Sequence, residues 1–260
     1  MVPACYREYL PPPALERWVE CFWHVNRDAP AIEWAVPPDG CLDIIYSRDL
    51  GLRAVGAMTV EQRFHYAGHM ETVGVRFHPG MAGGFLKLPP VVLTDDSAAL
   101  EDVWGSSARQ LRRRLEDAPT TAWLQVLRGA LNPPKHASGP VERALRFLTA
   151  SNGAADVDWM AREAGLSARQ FRRRCLEEAG LGPKRLVRVL RFRYANRLAA
   201  AARRPDWGSI AAAAGYFDQA HLIRDFREFT GRTPAATAAG ASSFQFHHLS
   251  ISGAGAAAEA

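Results

Sequence analysis

Two clusters of side chains in this chain have the chemistry to read a nucleic acid. Gln219, Ala220, His221 and Arg224 open one stretch, GYFDQAHLIRDFREFTGRTP from Gly215 to Pro234. Arg169, Arg172 and Arg173 occupy a similar stretch about fifty residues earlier. Glutamine and arginine hydrogen-bond base edges in the major groove, and arginine is the best bidentate reader of guanine. Three guanidiniums on one helix face call for solvent, phosphates or guanines. The plainer reading of Arg173 and Arg224 is an ion pair with an acidic neighbour.

A third cluster lies in the first half, in PPDGCLD and GVRFHPG. Asp39, Asp43, Arg76 and His78 sit there at strand edges and could orient a small ligand. Trp23, Trp34 and Phe77 would supply apolar wall. The alternative is a Pro-Asp-Gly turn, an Arg76 ion pair and core aromatics. Metal binding is poorly supported. His65 and His69 are four apart, but Gly68 lies between them and the segment does not read as a helix. The four cysteines, Cys5, Cys21, Cys41 and Cys175, show no C-x-x-C spacing, so buried reduced thiols are expected. No catalytic group, metal or cofactor is called.

These residues need elements to hold them. Asp218 suits an N-cap, and Leu222, Phe226 and Phe229 at i, i+4, i+7 make a buried helix face, leaving the reading residues outside. Gly231 ends that helix and Pro234 forbids its return. The pattern is duplicated. Ala161, Gly165, Ser167, Phe171, Arg173, Cys175, Gly180 and Pro183 recur as Ala211, Gly215, Asp218, Leu222, Arg224, Phe226, Gly231 and Pro234. Two helix-turn-helix units follow, joined by a helix whose Leu186, Leu190, Tyr194 and Leu198 share one side. At about 1.5 Å per residue, roughly 20 residues span about 30 Å, close to the ~34 Å of one DNA turn.

The first half has a different texture. Leu15, Trp18, Val19 and Phe22 have helical spacing, although Cys21-Phe22-Trp23 could also start a strand. Short alternating runs punctuated by Gly, Pro and Asp follow, as in a small sandwich or barrel. Asp95, Asp96 and Ser97 read as helix starters. Leu111, Leu115, Trp123, Leu124, Leu127 and Leu131 then mark two helices broken at Pro119, packed on the β-domain or on a second copy. The expected class is α+β: a β-rich N-terminal sandwich or barrel-like domain with flanking helices over 1–132, a linker at 133–139, an all-α double helix-turn-helix domain over 140–236, and a disordered tail over 237–260.

Charge agrees with that division. Pro140 to Pro234 holds 18 Lys+Arg against 10 Asp+Glu, whereas Met1 to Gly139 holds 14 against 16, so the positive charge sits with the proposed reading units. No run approaches ~18 apolar residues, and the start lacks a signal-peptide pattern, so a cytoplasmic, nucleoid-associated protein is expected.

The C-terminal segment resembles the DNA-binding domain of the AraC/XylS family of bacterial transcription regulators. The likeness rests on Ala161-x-x-x-Gly165-Leu-Ser167, Phe171-x-Arg173, Gly180-x-x-Pro183, Arg191-x-x-x-Ala195-x-x-Leu198, Ile210-Ala211-x-x-x-Gly215-Tyr216, Leu222-x-Arg224-x-Phe226-Arg227 and Gly231-x-x-Pro234. Cys175 departs from it, standing where an aromatic is usual. The resemblance implies base contacts from the seven reading residues named above. A thinner likeness, in Pro38-Asp39-Gly40-Cys41-Leu42-Asp43 and Arg76-Phe77-x-Pro79-Gly80, implies a β-rich regulatory domain that senses a small molecule. Double-stranded DNA and a small-molecule effector are the partners implied, with RNA polymerase and a second copy of the chain as further ones. An alternative from another class is this DNA-binding module fused to a DNA-repair enzyme, although the clustered cysteines of such proteins are missing. A regulator without ligand is the third reading.

Overall fold

The computed structural model describes residues 5–86, 88–134 and 139–240. Alternation in the first half yields six strands: β1 Cys5–Tyr9, β2 Val19–Val36, β3 Leu42–Ser47, β4 Gly51–Val55, β5 Gln62–Phe77 and β6 Ser97–Ala99. They form one antiparallel sheet in the order β1-β2-β5-β3-β4-β6. The barrel-like expectation takes this single-sheet form.

The period of two separates the faces. Phe22, Ile44, Leu52, Val73 and Val75 point to one side and are buried against helices α1 Leu100–Trp104, α2 Ser106–Asp117 and α3 Trp123–Ala130. Leu111, Leu115, Trp123 and Leu127 belong to that core, so the helical stripes pack on the β-domain. The opposite face carries Trp23, Asp43, Arg53 and Arg76, and surrounds a cavity.

Two sequence expectations need correction here. Val19 to Phe22 is strand, not helix: β2 pairs with both β1 and β5, and those ladders override the helical spacing. Leu15 and Trp18 lie in turns before it. Asp95 to Ser97 does not start a helix either. Asp95 has φ of 57°, its carboxylate accepts from the Thr59 N–H, and Ser97 enters β6, so the helix begins only at Leu100.

The second half is helical throughout: α4 Pro140–Ala150, α5 Val157–Glu163, α6 Ala168–Ala179, α7 Pro183–Ala201, α8 Trp207–Ala213, α9 Gln219–Thr230 and α10 Pro234–Gly240. The expected caps form. Asp156 accepts from Trp159 N, Asp206 from Gly208 N and Asp218 from His221 N, and Ser167 forms a capping box with Gln170. The last helix runs to Gly240, beyond the expected boundary at 236. Residues 135–138 of the linker and 241–260 of the tail, with FQFHHLSI, lie outside the described residues.

The spacer helix α7 buries more than the expected stripe. Besides Leu186 and Leu190, it buries Val187, Val189, Phe192, Ala195 and Ala199, while Tyr194 and Leu198 are only partly covered. The reason is position: α7 packs against both helix-turn-helix units and the β-domain. Trp18, Ala57 and Met81 of the β-domain share one apolar core with α4 to α9.

Candidate nucleic-acid interface and a cavity in the β-domain

The two third helices, α6 and α9, are built alike. Phe171 and Cys175 on α6, and Leu222 and Phe226 on α9, are fully buried. The turns before them use Gly165 and Gly215, and the helices end on Gly180 and Gly231. All four glycines have φ between 67° and 74°, which a Cβ resists. The inward residues fix the opposite face toward solvent. Arg169, Arg172, Arg173, Gln219, Ala220 and Arg224 are exposed. His221 is half-buried, edge-on to Tyr216 at 5.2 Å.

Ion pairs sort the arginines. Arg173 pairs with Glu177 at 2.9 Å one turn on, as its plainer reading has it. Arg169, Arg172 and Arg224 form no ion pair among the described residues. The acidic neighbours of Arg224 are taken instead by Arg188 of α7, which holds Asp225 at 2.7 Å and also bonds Glu228. That pair fastens α9 to the spacer and leaves Arg224 available. Phe217, beside the Asp218 cap, is 94% exposed, a feature the motif did not single out.

The cysteines behave as buried thiols. Cys21, Cys41 and Cys175 are free and buried, and burial pushes all three up, Cys175 to about 12. The Cys5 side chain lies outside the description. His24 and His69 both reach Glu71, and His69 also meets Asp28 at 2.7 Å.

The cavity on the open sheet face measures about 300 Å³. Trp23, Asp39, Asp43 and Arg76 line it together. The residues that reasoning missed are Tyr6, Arg53, Phe64 and Met70, because alternation alone does not say which face of a sheet stays open. Phe77 belongs to the opposite face and its core. His78 also lies away from the cavity, at the domain seam. There burial lowers its pKa, with Glu20 acting in the opposite direction. The Trp34 side chain lies outside the description, though its backbone pairs with Phe64.

Arg76 organises the cavity floor. Its guanidinium faces Asp43 and Asp39 at 3.3 Å each and Glu8 at 3.8 Å. Trp23 Nε1–H donates to Asp43 at 3.0 Å. Trp23 can lie flat because β5 has a glycine beneath it: a Cβ on Gly74 would come within 2.4 Å of the indole. Burial, partly offset by Arg76 and reinforced by Asp39, pushes Asp43 up to about 6.

One edge of this cluster touches the DNA-binding half. Cys41, also on the cavity lining, donates its thiol toward Glu20 at 3.4 Å. Arg193 of α7 reaches both, with an ion pair to Glu20 and an N–H toward Cys41 Sγ at 3.5 Å. The seam continues on either side. Arg17 meets Glu142 at 2.7 Å, Thr94 donates to the Gly180 carbonyl at 2.7 Å, and Glu61 N donates to Phe229 O at 2.7 Å. The glycines of the two sequence motifs are docking points. A Cβ on Gly40 would lie 2.8 Å from Leu186, and one on Gly80 2.3 Å from Leu145.

Residues 160–240 match the sequence model of a helix-turn-helix domain, over the units just described. The C-terminal half therefore carries a helix-turn-helix domain of the AraC type, that of DNA-binding transcription regulators. Residues 7–99 of this regulator match a domain of unknown function, DUF6597. No curated protein matches the chain. Among solved structures, it is similar to the DNA-binding domain of AdpA, a global transcriptional factor seen with a target DNA. Identity is 26%, coverage 40% of this chain and 94% of that one, and the TM-score 0.38. The C-terminal domain of AraT, a response regulator from Geobacillus stearothermophilus, is 22% identical over 43% and 95% of the two chains, with a TM-score of 0.36. Unsaturated-fatty-acid-bound ToxT from Vibrio cholerae is 9% identical over 91% of each, with a TM-score of 0.41. The domain assignment follows from the matched segment and the duplicated motif rather than from these superpositions.

Proposed function

We propose that this regulator reads two adjacent major grooves and that a small molecule in the β-domain cavity sets how it does so. The spacer α7 has 19 residues, about 28 Å at ~1.5 Å per residue, which suits recognition helices one DNA turn apart. Arg169, Arg172, Arg173, Gln219, Ala220, His221 and Arg224 face the bases, and the surrounding positive charge holds phosphates. Such a protein works in the cytoplasm at the nucleoid, where RNA polymerase and a second copy are its natural macromolecular partners. No observation favours an enzymatic role for the β-domain.

The observation that carries the sensing half is the contact chain from cavity to spacer. Cys41 lines the cavity, bonds Glu20, and is touched by Arg193 of α7. Occupancy of the cavity therefore bears on the one helix that both reading units share. A ligand shifts the equilibrium only through different affinity for the two arrangements. The test is a metabolite screen by thermal shift on the full chain, followed by DNA titration with each stabilising compound. The expected result is a compound that changes DNA affinity in the native protein and, in Arg193→Met, still binds but leaves DNA affinity unchanged. Stabilising compounds that never alter DNA affinity would refute the coupling.

A further inference from the structure

The cavity's charge is unbalanced, and the imbalance names a class of ligand. At the closed end one guanidinium, Arg76, faces three carboxylates, those of Glu8, Asp39 and Asp43. Two of the three, Asp39 and Asp43, line the cavity, and their side chains keep 13% and 15% of their surface exposed. Asp95 and Asp96 add negative charge on the lining. The other cation on the lining, Arg53, bonds the neutral Ser97 at 3.2 and 3.0 Å and keeps its charge, so two guanidiniums stand there against the carboxylates of Asp39, Asp43, Asp95 and Asp96. A half-buried site of this kind is costly to keep anionic, because carboxylates removed from water need a counter-charge. The second feature is aromatic. Trp23 lies flat over Gly74, with Tyr6 at 6.1 Å between ring centroids and Phe64 also on the lining. Aromatic faces beside carboxylates favour a cation with an apolar body. A volume of about 300 Å³ limits it to a small molecule.

We propose that the cavity binds a small organic amine, its ammonium against Asp43 and Asp39 and its apolar body against Trp23 and Tyr6. The ammonium supplies positive charge that the lining lacks, and donates charge-assisted hydrogen bonds to the remaining lone pairs of carboxylate oxygens that already accept from Arg76, Trp23 and the Cys41 N–H. This inference rests on the sensing reading above and narrows it to one charge type.

The experiment uses the full chain and three probes of like size: 2-phenylethylamine, 2-phenylethanol and 3-phenylpropionate, titrated calorimetrically at pH 8. The amine is expected to bind at least ~10-fold more tightly than the alcohol, equivalent to about 1.4 kcal/mol, with the acid weakest. In Asp43→Asn and, as a second variant, Asp39→Asn, the gap between amine and alcohol is expected to shrink, while alcohol binding changes little. Equal or tighter binding of the acid overturns the amine proposal and leaves a sensing cavity of another specificity. Binding by none of the probes also overturns it. The sensing reading falls with it only when a metabolite screen covering acids, neutral compounds and bases is silent as well.

Discussion

Arg193, on the helix between the two reading units, forms an ion pair with Glu20 of the β-domain, 173 residues away in the chain. Burial alone would raise the Glu20 carboxyl, but the Arg193 guanidinium overrides it and holds it at about 2. The side chains retain only 13% and 22% exposure, so the pair is not a surface ornament. Removing one partner of a buried pair typically costs about 3–5 kcal/mol, because the other charge is left alone. Glu20→Ala should lower the unfolding midpoint markedly, and Glu20→Ala with Arg193→Met should recover much of the loss. A double variant no better than the single one would deny the pair this role.

The same pair fixes a pH dependence. Glu20 is more acidic folded than in its ordinary state at 4.5, so its contribution is present above 4.5 and lost as pH falls toward about 2. Asp43 has the opposite sign. It is raised from 3.8 to about 6, so the stability linked to its protonated form is present below 3.8 and lost as pH rises through about 6. The groups around it are Arg76 of β5, Asp39 of the β2–β3 loop, and Glu8 and Tyr6 of β1. Denaturant unfolding across pH should show Asp43→Asn flattening the upper window and Glu20→Gln the lower one. A single variant flattening both would contradict the assignment.

Base reading has its own signature. Arg169→Ala and Gln219→Ala should weaken the specific site more than random DNA, by about 1–3 kcal/mol for a lost bidentate contact. Gel-shift titrations at fixed salt measure both. Equal losses on the two DNAs would mean phosphate contact only.

Phe217 offers a test independent of charge. At 94% exposure it contributes little to the folded chain, and Phe217→Ser should leave the unfolding midpoint within about 0.5 kcal/mol of the parent. DNA affinity should nevertheless fall several-fold, because the ring stands next to the N-cap of α9. Unchanged affinity would show that the ring points away from the groove.

Docking of the two halves can be loosened without touching either site. Gly80 has φ of 76°, and a side chain there would run into Leu145. Gly80→Val combines backbone strain of about 1–3 kcal/mol with that collision. The unfolding midpoint should then fall relative to the parent, while DNA binding by the helix-turn-helix half persists. An unchanged midpoint would mean the seam tolerates the extra bulk.

The reading units were legible because their signals are local. Ser167, Asp218, Gly180 and Gly231 announce helix ends within a few residues of themselves, and Phe171 or Phe226 sets a face by spacing alone. The cavity was half legible. Asp39, Asp43 and Arg76 stand near turns, but Tyr6 and Arg53 join them only through ladders that bring β1 and β4 to the same sheet. Leu15 to Phe22 misled for the same reason, since strand pairing is a long-range property that helical spacing does not register. The seam was invisible. Arg193 looks like one more cation of a basic spacer, and nothing near it in the chain hints at Glu20 or Cys41.

The β-domain meets the end of α6 and α9 through backbone carbonyls, whereas its ion pair to Arg193 falls on α7, the helix between the two helix-turn-helix units. Under the proposed function, control exercised there would alter which half-site separations fit the protein, and operators with different spacing would respond unequally to the same signal.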